Sequence, residues 1–138
     1  MNPKYHSYYT HYIVHLLDAI YKPYHVFNEI TDDRYKLVGC FKDQSERALD
    51  TLEGTIELLK DYYKTRENPI EKCFLAAISK KFTMFAVQNG GQCFSSSKAE
   101  ETYDKYGKAY DCITYGERNG TGGPMSNSVY KILDGGML

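Results

Sequence analysis

Four cysteines, Cys40, Cys73, Cys93 and Cys112, pose the first chemical question in this 138-residue chain. A thiol can act as a nucleophile, as a metal ligand or as half of a disulfide. Cys93 lies in FAVQNGGQCFSSS, residues 85–97, behind glycines and ahead of an aromatic. A nucleophilic thiol there needs a histidine to take its proton. All four histidines lie before residue 26, so none follows Cys93. The chain has no Cys-x-x-Cys pair, which argues against a structural zinc site of the closely spaced kind. His11 and His15 would share a helix face, a metal-capable geometry, but they read as a solvated pair and no metal is expected. Well-separated cysteines then read as two disulfides made in an oxidising compartment, or alternatively as four buried free thiols.

Other motifs are weaker. NGGQC lacks the Gly-Lys-Ser/Thr end of a phosphate loop, and GTGGP lacks dinucleotide-binding spacing, so no cofactor is expected. Asp32, Asp33, Asp43, Glu46, Asp50 and Glu53 read as polar loop rather than as a catalytic pair across a cleft. No EF-hand spacing is present. With no nucleophile and base paired, the chain is not expected to be an enzyme. Asn119-Gly120-Thr121 is an N-glycosylation sequon, and Asn119 is its acceptor.

The formal net charge is -1, which gives no electrostatic footprint for nucleic acid. Mean hydropathy is -0.55. No apolar run approaches the roughly 18 residues needed to span a membrane. Tyrosine occurs 14 times and tryptophan not at all, a bias that suits contact surfaces that stay wet. The first twenty residues lack the basic, apolar, small order of a secretory leader, so secretion requires that a leader was removed or replaced by Met1.

These residues need elements to hold them. Residues 1–34 form a Tyr/His-rich arm in which Ile13, Leu16, Leu17 and Ile20 recur at helical spacing, up to Pro23. YKLVGCF, from Tyr35, reads as a strand. Leu52, Ile56, Leu59 and Tyr63 have helical spacing, but Gly54 leaves either a helical excursion or a loop with one turn. The spacing predicts the main helix at about 69–81. Asn68 can cap it, Pro69 suits its first position, Glu71 lies third, and Lys80 and Lys81 close its last turn. Its apolar stripe includes Cys73. FTMFAVQ reads as a central strand apolar on both faces, and Asn89-Gly90-Gly91 as a turn. A short helix follows Ser97, ended by Gly107, and VYKI is a last strand.

Three pieces in this order resemble the WSC domain family. The first is Gly39, Cys40, Phe41 and Asp43 followed by Arg47, Ala48 and Leu49. The second is the helical Cys73 followed by Phe85 to Cys93. The third is Gly122 to Tyr130, a Gly-Gly stretch closing on Ser-Val-Tyr. The match covers about residues 35–132. It departs from the family in cysteine number, because WSC domains carry about twice as many, and Cys93 lacks a second cysteine close behind it. The resemblance implies an α+β fold: a small disulfide-bonded domain over 35–138, related in shape to PAN/apple domains, with a curved antiparallel sheet cradling one main helix. With it come the pairings Cys73–Cys93 and Cys40–Cys112.

The resemblance also implies a secreted, non-catalytic module that binds glycans or a cell-surface or matrix polysaccharide, or serves adhesion. Its expected ligand residues are Gln88, Asn89, Gln92, Tyr103, Tyr106 and Asn127, polar or aromatic groups beside glycine-exposed backbone. The alternative is a structural subunit of an extracellular assembly, with the arm making protein contacts or self-associating.

Overall fold

A computed structural model describes residues 33–137. The chain divides between Asp32 and Asp33. The arm and its expected helix and partner contacts lie outside the described residues, save for Asp33 and Arg34, which belong to the domain.

Four strands form one antiparallel sheet: β1 (Tyr35–Lys42), β2 (Met84–Gln88), β3 (Gln92–Phe94) and β4 (Ser126–Ile132), in the order β1-β4-β2-β3. The main helix, α1 (Pro69–Ser79), packs beside β2, and a single-turn helix, α2 (Ala99–Thr102), lies after β3. The expected α+β architecture, with one main helix and two disulfides, is therefore present. No helix among the described residues is long and apolar enough to cross a membrane.

β2 is buried along its whole length because it serves two cores. Successive strand residues point to opposite faces. Phe85 and Val87 join Cys73, Phe74 and Ala77 of α1, with Tyr130 and Ile132 of β4. The Phe85 and Tyr130 rings stack at 4.9 Å, and Tyr35 meets both edge-on. Met84 and Ala86 face the other way, into a smaller core with Phe41, Leu49, Phe94 and Val129.

The ends of α1 use different chemistry from that expected. Asn68 sits at φ 49°, a left-handed conformation asparagine tolerates, and its side chain makes no capping bond. Its carbonyl accepts the first helical bond, from Lys72 N–H. Glu71 does not reach back to the cap, because Arg34 grips both its oxygens at 2.7 and 2.6 Å. At the other end the helix stops at Ser79, and the lysines lie beyond its last turn. Lys81 takes φ 61°, its N–H bonds to Ile78 O, and Phe82 N–H bonds to Ala77 O. This is a Schellman cap with lysine where glycine is usual.

Residues 52–63 hold one 3-10 turn, Glu57–Leu59, and no longer helix. Gly54 at φ 74° diverts the chain, while Leu52 and Leu59 still reach the core. Both disulfides are present, Cys40–Cys112 across 72 residues and Cys73–Cys93 across 20. In the chain-entropy view these separations are worth about 4 and about 3 kcal/mol.

Candidate functional site

The six ligand residues expected from sequence do not form one open surface. Gln88 is 2% exposed and Asn127 is fully buried. They face each other across β2 and β4, and Gln88 Nε2 donates to Asn127 Oδ1 at 2.9 Å and to Asp43 Oδ2 at 2.8 Å. Both amides are therefore buried and bonded within the interior rather than displayed on the surface. Asn127 Nδ2 has no partner among the described residues. Asn89 and Gln92 are half-buried at the turn, where Asn89 takes φ 51°. Tyr103 turns its ring edge against Phe41 at 5.0 Å, so it packs the smaller core. The Tyr106 hydroxyl donates to the Glu46 carbonyl.

Asp43 ties together the Asp, Arg, Ala and Leu of the first motif. Its carboxylate is buried. Oδ1 accepts Ala48 N–H at 2.9 Å, and Oδ2 accepts Arg47 Nη1 at 2.8 Å as well as the Gln88 amide. Burial pushes its pKa up, but these bonds outweigh burial and hold it below the usual carboxylate value. The Arg47 guanidinium also lies over the Phe94 ring at 5.2 Å. Fixed this way, the loop delivers Ala48 and Leu49 to buried positions.

An open groove of about 540 Å³ lies where three segments meet: Lys42–Gln44, Ala109–Asp111 and Pro124–Ser126. None of the six expected residues lines it. Each wall is tied to the sheet. Lys42 N–H bonds to Gly107 O, Ala109 N–H to Cys40 O, and Asp43 N–H to Met125 O. Ser126 Oγ donates to Asp111 Oδ1 at 2.5 Å, and Cys112 is bonded to Cys40. Gly123 lets the walls close, because a Cβ there would stand 2.5 Å from Asp111 O.

Tyr110 stands on this groove with 92% of its surface exposed. Its loop is nonetheless short and anchored on both sides to Cys40, by the Ala109 hydrogen bond and by the disulfide. Lys42, Gln44, Asp111 and Met125 line the same groove, bringing an ammonium, an amide, a carboxylate and a thioether to it. These groups can stack on a flat apolar face and exchange hydrogen bonds with hydroxyls. The lining holds no histidine and no cysteine. Sequence reading missed Tyr110 and Asp111. The available signal was an aromatic two residues before a cysteine that pairs with the first strand.

A second groove, of about 300 Å³, lies between Arg66–Pro69 and Glu117–Arg118. Arg118 is committed there to the carbonyls of Arg66, Gly90 and Lys64. Asn119 is exposed beside it, whereas Thr121 is buried and donates its hydroxyl to Arg118 O. No family model matches the chain, and no curated protein matches it.

Proposed function

We propose that this domain is an extracellular, non-catalytic carbohydrate-binding or adhesion module of WSC-like type, and that the Tyr110 groove is its ligand face. The single observation that carries the reading is Tyr110 itself, an almost fully exposed ring on a loop clamped at both ends. A sugar presents one apolar ring face and a rim of hydroxyls. Tyr110 supplies a surface for the first, and Lys42, Gln44 and Asp111 supply partners for the second. The clamping matters because a preformed aromatic loses little freedom on binding. The open shape of the groove suits a chain passing across it, and the two disulfides support an oxidising, extracellular setting.

A glycan array probed with the oxidised protein tests this directly. Binding to at least one oligosaccharide is expected. Tyr110→Ala should weaken that binding about tenfold, the loss of roughly one aromatic contact. Gln92→Ala, at the start of β3 and outside the groove lining, should leave it unchanged. An array without a hit refutes the reading, and equal losses in both variants refute the choice of groove.

A further inference from the structure

We propose that the Cys40–Cys112 disulfide is a thiol-operated lock on the Tyr110 groove, an inference that rests on reading this groove as the ligand face. The two disulfides differ in what surrounds them. Cys73 and Cys93 have no exposed surface and lie in the main core between α1 and β3. Cys40 and Cys112 are both half-buried, and Cys112 follows directly on the exposed segment Tyr110–Asp111. A thiolate from solvent must reach a sulfur to attack it, so access separates the two bridges.

The consequences of opening differ as well. Cys73–Cys93 ties the helix to the sheet. Cys40–Cys112 ties a loop to β1, a strand already paired along its length with β4. Once it opens, the segment bearing Tyr110 is held by hydrogen bonds alone: Lys42 to Gly107, Ala109 to Cys40, Ile113 to Gly122, Gly120 to Ile113 and Ser126 to Asp111. The cores on both sheet faces lose no member. Opening therefore removes the one covalent tie of the groove wall and loosens it while both cores stay intact.

The step is ordinary exchange with an external dithiol. Its thiolate attacks the Sγ of one cysteine and expels the other as a thiolate, which takes up a proton. The second thiol of the reductant then attacks the mixed disulfide and releases the first cysteine. Two electrons and two protons pass to the protein, which gains two thiols, and the reductant leaves as a disulfide.

The test is a titration of the oxidised protein with dithiothreitol under native conditions, quenched with iodoacetamide and mapped by mass spectrometry. Cys40 and Cys112 should be alkylated at roughly tenfold lower reductant than Cys73 and Cys93. At that point, amide hydrogen exchange should rise in residues 107–113 and stay slow in residues 84–94. Simultaneous opening of both bridges, or unchanged protection of 107–113, overturns the proposal. A Cys40→Ser/Cys112→Ser protein provides a check independent of reductant: it should show fast exchange at 107–113 with native circular dichroism, and global unfolding overturns the lock. None of these readouts involves a sugar, so a failed glycan array refutes the function without touching this result.

Discussion

Replacing Arg66 by methionine should cost this domain about 3–5 kcal/mol, as breaking a buried charge cluster does. Arg66 is 1% exposed, and all three of its guanidinium nitrogens are engaged. Nη1 and Nη2 grip the two oxygens of Glu53 at 2.8 and 3.0 Å, and Nε bonds Asp61 Oδ1 at 2.8 Å. The same nitrogens donate to the carbonyls of Gly91, Leu59 and Asp61. Burial opposes the charge, but the bonds from Glu53 and Asp61 outweigh it and raise the pKa, so the group stays ionised. Methionine fills similar volume yet supplies no donor. It would leave the buried Gly91 and Leu59 carbonyls without Arg66's bonds, and Glu53 with a weaker bond from Cys93 N–H at 3.3 Å. Arg66→Lys keeps the charge but not the fork, and should cost about 2 kcal/mol. Against a total of about 5–15 kcal/mol, the methionine variant is severely destabilised. Urea unfolding followed by circular dichroism, with disulfides intact, measures it. With a slope of about 1–3 kcal/mol/M, the midpoint should fall by about 2 M. A loss under about 1 kcal/mol for Arg66→Met, or a lysine variant as unstable as the methionine one, refutes the argument from the fork.

Asp43 has a depressed pKa in the fold, so its stabilisation is present above the unfolded carboxylate value of about 3.9 and is lost as pH falls through the folded one. Asp43→Asn should cost about 2 kcal/mol at pH 7 and flatten the acid limb of stability below about pH 4, read by urea titrations at several pH values. Gly123→Ala places a methyl 2.5 Å from Asp111 O, so the groove wall must move. A stability loss of about 2 kcal/mol and faster amide exchange at residues 109–113 are expected. Burial first, then the Tyr35 phenol, raises the pKa of the Tyr130 phenol, which bonds Gly120 O at 2.7 Å. Tyr130→Phe should leave the ultraviolet tyrosine titration below about pH 11 unchanged and cost about 1 kcal/mol.

The parts of this fold legible in sequence are those governed by neighbours along the chain. Cys73 on the buried stripe of α1, Pro69 at its first turn and the two-sided burial of FTMFAVQ follow from local spacing. The pairing of the cysteines came from the resemblance, because spacing alone admits three pairings. Residues whose roles depend on distant partners were misread or missed. Gln88 and Asn127 look like surface amides until β2 and β4 are set side by side and Asp43 is brought in from 45 residues away. Arg66 looks like one more charge in a polar stretch until Glu53, Asp61 and the Gly91 carbonyl converge on it. Asn68 and Glu71 carry a capping signature, yet Asn68 takes a left-handed backbone without a side-chain cap and Glu71 binds Arg34.

The same contrast is why we propose Tyr110 rather than the glycine turn as the ligand face. The turn after β2 is held by Gly90 N–H to Thr121 O and Asn89 N–H to Gly123 O, so its backbone is as fixed as the groove walls. What it lacks is a free recognition surface: Gln88 points inward, Asn89 reaches toward the Tyr63 hydroxyl at 3.4 Å, and Gly91 abuts the Tyr63 carbonyl. A binding site needs rigidity together with unspent polar and aromatic groups. The groove has both, because its anchoring is done by backbone amides, one disulfide and a serine. That leaves Tyr110, Lys42 and Asp111 as exposed residues along the groove.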